Sequence, residues 1–325
     1  MSFVRYNTED SVISAESVVR PMWTNEAYTL ATFFTASGYT EYYVDVYNLN
    51  PSSTGSEVQF DIQYGHIYGS GSVPINSTVP GYSPSRIVYG QYRNLVYGTE
   101  TENFSFDGGV TTANQIYVIN IARSRYKESI QPGALNLTLT SGSAVIKLTD
   151  DSNTTSLTRF IGENRVFYII SGSNGNAYTS SAATTPYYGI MLPDLGFIVL
   201  DASGSLTPYI QAANLSTSPS QYNHLKLFSS ISASGNFQLR SQETVSSRFF
   251  FTRVKNSEFN YTTNPSIIDA SGNLLYTTLI NNPQTYVTTV GMYNDNNELL
   301  AVAKLSKPLL KDFTKEALIR IKLDY

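Results

Sequence analysis

The chain has no cysteine in 325 residues, only two histidines and a single tryptophan. Lack of cysteine excludes disulfides, thiol nucleophiles and thiolate metal ligation together, so stability must come from packing and strand pairing. His66 and His224 are too few to supply most ligands of a zinc site. Neither lies in a local context that sets a base between an orienting acid and a nucleophile. No catalytic residue, no metal and no cofactor is expected on these grounds.

Charge is also scarce. Lys, Arg, Asp and Glu make up 14% of the chain, with a net charge of -4, against the usual quarter. Dispersed Lys and Arg form no basic stripe of the kind that neutralises phosphates, so nucleic acid is not an expected partner. The longest apolar runs, such as Val166 to Ile170 and Gly196 to Leu200, fall far short of the roughly 20 residues of a spanning helix, so no membrane association is expected. The amino terminus, Met1-Ser2-Phe3-Val4-Arg5-Tyr6, lacks a basic-then-apolar signal pattern, and export by that route is not expected.

What is abundant is tyrosine, with 25 residues, within an aromatic content of 13% and an apolar content of 41%. That composition is ample for a core, whereas disordered chains are poor in both classes. With so little charge, the surface is covered by Ser, Thr, Asn, Gln and Tyr. Such side chains cost less to desolvate than Lys or Glu, and Tyr offers contact area with little rotamer entropy to lose. Strands also favour Tyr for packing reasons alone. Candidate interface residues are Trp23, Tyr42, Tyr43, Tyr187, Tyr188, Tyr293 and Tyr325. In the pairs Tyr42-Tyr43 and Tyr187-Tyr188, strand alternation places the two rings on opposite faces.

Short apolar runs bounded by Gly, Pro, Asn, Asp and Ser recur along the chain, which predicts an all-β fold of antiparallel sandwich or barrel-like units with minor helix. The predicted strands are 42–47, 57–64, 115–122, 134–140, 144–148, 165–170, 197–200, 237–239, 248–254, 285–293, 299–305 and 317–325. In the last, Ala317, Ile319, Ile321, Leu323 and Tyr325 share one face and Arg320, Lys322 and Asp324 the other. Thr285–Tyr293 and Leu299–Leu305 flank Asn294-Asp295-Asn296-Asn297-Glu298, a turn-forming run, and so predict a hairpin. Helix is predicted around 23–32 and 91–96. Beyond Pro308, residues 309–314 read as a helical turn or an extended link.

A weak echo relates Arg125-Tyr126-Lys127-Glu128-Ser129 to Arg253-Val254-Lys255-Asn256-Ser257, each following a strand. It suggests a core β domain built from residues 1–130 and 246–325, with a Ser-rich β domain, 131–245, inserted between them. Acidic turns such as Asp150-Asp151-Ser152-Asn153 and 294–298 lack the spacing of a calcium loop and read as turns. Twenty-five acidic residues leave a glycosidase-type carboxylate pair open, although no β-helix repeat accompanies it.

Four stretches carry a resemblance. They are Gly65-His66-Ile67-Tyr68-Gly69-Ser70-Gly71-Ser72, Ser85-Arg86-Ile87-Val88-Tyr89-Gly90-Gln91-Tyr92-Arg93-Asn94-Leu95-Val96, residues 117–128, and Thr288 to Leu305, which contains Val290-Gly291-Met292-Tyr293-Asn294-Asp295 and Leu299-Leu300-Ala301-Val302. These resemble virion structural proteins of T4-like myophages of cyanobacteria and marine bacteria. The resemblance implies a tail or baseplate structural protein, not an enzyme, assembled in the host cytoplasm into the virion. It also implies homo-oligomers and contacts with other tail and baseplate proteins. A head or neck decoration protein, or a module that binds or degrades receptor glycans, are the alternatives.

Overall fold

The computed structural model describes residues 5–36, 43–69, 84–106, 112–156, 158–178, 186–202, 204–213, 222–260 and 265–324. Strands hold 46% of the residues and helices 14%, so the fold is mostly antiparallel β with helix as a minor part. Along the chain the strands are β1 (Ser11–Pro21), β2 (Thr29–Leu30), β3 (Tyr43–Tyr47), β4 (Val58–His66), β5 (Gln115–Asn120), β6 (Ser129–Ile130), β7 (Asn136–Ser141), β8 (Ala144–Asp150), β9 (Arg159–Ile161), β10 (Asn164–Ser173), β11 (Asn176–Ala177), β12 (Gly189–Leu192), β13 (Phe197–Asp201), β14 (Phe237–Gln238), β15 (Arg240–Val254), β16 (Thr285–Tyr293), β17 (Leu299–Lys311) and β18 (Ala317–Asp324). The helices are α1 (Ser85–Tyr97), α2 (Arg123–Tyr126), α3 (Asn223–Ser234) and α4 (Thr278–Asn281).

Contacts divide the chain into two units, Ser17–Glu243 and Met1–Glu16 with Thr244–Tyr325. This division differs from the expected one near residue 130. Strand β5 pairs with β13 over Ile116↔Asp201 to Asn120↔Phe197 and with β4 on its other side. Residues on both sides of 130 therefore share one hydrogen-bonded sheet. The first echo segment follows β5 and ends in β6 at Ser129, whereas the second begins inside β15 with Arg253 and Val254, so the two do not occupy equivalent places.

The larger unit is built on a sheet whose main path runs β2-β14-β7-β8-β10-β12-β13-β5-β4-β3. Its central strands are buried on both faces. In β5, Tyr117 and Ile119 enter one apolar cluster and Ile116 and Val118 the other, which is why the strand reads as an unbroken apolar run instead of alternating with polar residues. Helix α1 covers the second cluster with Val88, Tyr89, Tyr92 and Val96. Gly65 permits that approach, because a Cβ there would stand 2.9 Å from the Tyr89 backbone nitrogen. Helix α3 sits inside the curl of the sheet, against β7 near one end of the path and against β3 and β4 at the other. Leu227 and Ile231 point into the first cluster.

Three rings knit the ends of the curl together. Phe237 of β14 lies 5.2 Å from Phe60 of β4, edge to face, and 5.2 Å from Trp23, between centroids. The Trp23 indole N–H donates to the Phe237 carbonyl at 3.1 Å. Such aromatic pairs add about 0.5–1.5 kcal/mol each beyond area burial.

The smaller unit contains the β16–β17 hairpin and the β15–β18 pair, which is in register from Ser247↔Asp324 to Val254↔Ala317. Its apolar cluster has three buried members, Val254, Ile319 and Ile321, with Val287, Val290, Met292, Ala303 and Leu305 partly buried against them. Alternation in β18 is as expected, with Ile319 and Ile321 buried and Leu318, Arg320 and Lys322 exposed. The 294–298 turn closes through Glu298 N–H to Asn294 Oδ1 (2.8 Å), with Asn297 at φ 61°. Lys311 is wholly buried. Its ammonium donates to Asn256 O (2.9 Å), Asn260 Oδ1 (2.6 Å) and Asp312 O (3.0 Å), three acceptors for three protons, which offsets the desolvation of the charge.

Two local expectations are corrected and one left open is decided. Residues 23–32 hold a 3-10 turn at Thr24–Glu26, with Asn25 at φ 61°, followed by β2 at Thr29–Leu30, which pairs with β14. Of the two forms expected beyond Pro308, residues 309–311 take the extended one and continue β17. Residues 305–308 stand opposite Thr288 alone, and this bulge accommodates Pro308, which has no N–H to give to the ladder. Helix α3 lies in the Ser-rich segment expected as an inserted β domain, where no helix is predicted.

Phe237→Ala should destabilise the larger unit by about 3–5 kcal/mol, read as a lowered urea midpoint, whereas Leu318→Ala on an exposed face should leave that transition within about 0.5 kcal/mol. Equal effects would contradict the role given to the aromatic plug.

Candidate functional site

The chemistry-bearing side chains fall in separate places. His66 is buried at the end of β4, and its Nδ1 accepts the Tyr68 N–H at 3.0 Å; burial lowers its pKa by disfavouring the charged ring. His224 is buried in the first turn of α3. Among the described residues no three His, Asp or Glu side chains converge as a metal-holding group. Asp150 and Asp151 behave as turn and strand anchors. Asp150 Oδ1 accepts from Gly133 N–H (2.8 Å) and Ser152 N–H (3.2 Å), and Asp151 accepts from Tyr168 N–H (3.0 Å) and pairs with Arg159.

One carboxylate pair is assembled by the sheet. Asp45 of β3 stands directly opposite Asp61 of β4, so both side chains leave the sheet on the same face. This is the α1 side, since Val44, Val46, Ile62 and Tyr64 fill the cluster on the other face. Gln63 Nε2 donates to one oxygen of Asp61 at 2.9 Å and Asn120 Nδ2 to the other at 2.8 Å. Burial raises the Asp61 pKa, the two amides oppose that, and Asp45 adds to it by like-charge repulsion. Burial raises the pKa of Asp45 too. Tyr92 of α1 sits beside the pair, its hydroxyl pKa raised by burial and by the Asp61 charge. The arrangement holds a proton more tightly than isolated carboxylates do. The alternation Phe60-Asp61-Ile62-Gln63-Tyr64 carried the signal for this polar stripe, but the partner Asp45 is fixed only by register.

The candidate interface residues separate into groups. Trp23 (3% exposed) and Tyr188 (8%) are core residues and offer no surface; a large ring was needed to close the curl and another to fill its interior. Tyr187 stacks on Tyr168 at 4.5 Å between centroids and packs on the second cluster while Tyr188 joins the first, so the pair does split across the sheet. Tyr43 is half-buried opposite Gln63 on β3. Tyr293 is exposed on the hairpin. Tyr42 and Tyr325 lie outside the described residues, as do Ser70 to Ser72.

Missed from the sequence was the apolar company of Tyr293. Leu299, Leu300 and Val302 of β17 are 53%, 67% and 57% exposed, and Tyr286 is 65% exposed. Among the described residues no helix is long and apolar enough to cross a membrane. Comparison of the chain with protein-family models, curated sequences and solved structures gives no match.

Removing one charge of the pair tests its coupling. In Asp45→Asn, the Asp61 carboxyl, followed by its carbon chemical shift, should titrate at lower pH than in the parent chain. Since the folded pKa of Asp61 lies above its unfolded value, its stabilising contribution is full below the unfolded pKa and is lost as pH rises through the folded one. The substitution should shorten that window from its upper end. An unmoved Asp61 midpoint would show the two carboxylates to be independent.

Proposed function

We propose that this chain is a structural component of a tailed-phage virion, from the tail or baseplate, that assembles through protein–protein interfaces and performs no turnover. The observation that carries the assembly reading is the smaller unit. Three buried apolar residues form its centre, while Tyr286, Leu299, Leu300, Val302, Phe313 and Leu318 stand more than half exposed. Water-exposed apolar surface of this kind marks an interaction site in a stable protein. The virion context comes from the resemblance carried by residues 65–72, 85–96, 117–128 and 288–305.

Absence of catalysis is argued from the dispersal of the reactive groups. The two His residues are buried on different elements, and both oxygens of Asp61 already accept amide hydrogen bonds.

Fractionation of phage particles followed by immunogold labelling should place the chain on tails. The purified chain incubated with host polysaccharide should release no new reducing ends. Labelling confined to capsids would transfer the chain to the head or neck, and reducing ends lost in Asp61→Asn would make it a glycan-degrading module.

A further inference from the structure

The hairpin β16–β17 has one buried and one open face. Val290, Met292 and Ala303 point to the unit's apolar cluster. By register the other face carries Thr289, Gly291 and Tyr293 of β16 opposite Lys304, Val302 and Leu299 of β17, and all six are exposed. Leu300 is the extra residue at the register shift beside Tyr293. Gly291 joins these side chains into one surface. A Cβ there would stand 3.0 Å from the Tyr293 ring and 3.3 Å from Leu299 Cδ1, so both lie over bare backbone.

We propose that this face packs against the same face of a second copy of the chain. The inference deepens the assembly reading by naming its partner. Tyr293, Leu299, Leu300 and Val302 are 41%, 53%, 67% and 57% exposed side by side at one end of the hairpin, and contiguous apolar surface of this kind is unusual on a monomer. A specific interface removes at least about 1,000 Å², and pairing two such faces doubles the area that one face offers. Of the residues that register places on this face, Lys304 alone is ionised, and the Glu298 carboxylate in the adjoining turn accepts from Asn294 Nδ2 at 2.6 Å. A largely apolar face with a single charge is close to complementary to itself.

Light scattering after size-exclusion chromatography of the full chain should give a dimer or a higher multiple. Leu300→Asp with Val302→Asp should give a monomer with unchanged circular dichroism, since both side chains are exposed. Because the chain has no cysteine, Leu300→Cys treated with a short bis-maleimide should yield covalent chain pairs, and Val145→Cys on the other unit should not. A wild-type chain that stays monomeric at its highest soluble concentration, or an oligomer that survives the double substitution, would overturn the proposal. A monomer that nevertheless fractionates with tails would sink self-association alone; an oligomer absent from particles would sink the virion reading alone.

Discussion

Burial of apolar surface is the constraint on which everything else in this chain depends. With no cysteine to form a disulfide, each unit must be held by the roughly 25 cal/mol per Å² that burial supplies. The two units meet that requirement very unequally. The larger one fills both faces of its sheet, and residues such as Phe60, Ile62, Ile116, Ile119 and Phe237 are essentially removed from water. Among the described residues the smaller one has an apolar cluster with three buried members, Val254, Ile319 and Ile321, and relies on strand pairing and on the caged ammonium of Lys311. Small bodies bury a lesser fraction of their surface in any case, and this one also keeps large apolar side chains in water.

The curl of the larger sheet solves a second problem. A long path of strands leaves two ends, and helix α3 with the Trp23, Phe60 and Phe237 rings brings them to a common interior. The polar stripe of Asp45, Asp61, Gln63 and Asn120 lies on the α1 side of the sheet beside Tyr92. There the sheet face turns from packing to hydrogen bonding, and the Asp61 carboxylate is satisfied by the amides of Gln63 and Asn120.

Much of the fold was legible because it depends on local pattern. The period-two alternation of 317–324, the turn residues at 294–298 and the apolar runs at 115–120 and 197–200 each predicted the element that forms. Helix α1 was legible in part. What could not be read depends on distant pairing. That β5 pairs with β13 across the expected boundary at 130 is a matter of register between segments far apart in sequence, as is the meeting of Asp45 with Asp61. Helix α3 escaped because its Leu227 and Ile231 spacing is set in a Ser-rich stretch that reads as turns. Trp23 reads equally as an interface or a core residue, since a large ring with a single N–H also fits a core position that offers one carbonyl acceptor. Of the candidate surface, Tyr293 was recognisable, but its neighbours became so only once the hairpin register put them on its face.

If the smaller unit completes its burial by association, its stability must obey mass action, while the larger unit, complete in itself, must not. Thermal unfolding of the full chain over a wide range of protein concentration measures this directly. The account expects the transition of the smaller unit, followed by hydrogen exchange across 285–305, to move to higher temperature as concentration rises, with exchange across 115–120 and 197–200 unmoved. A transition of 285–305 that is independent of concentration would contradict it.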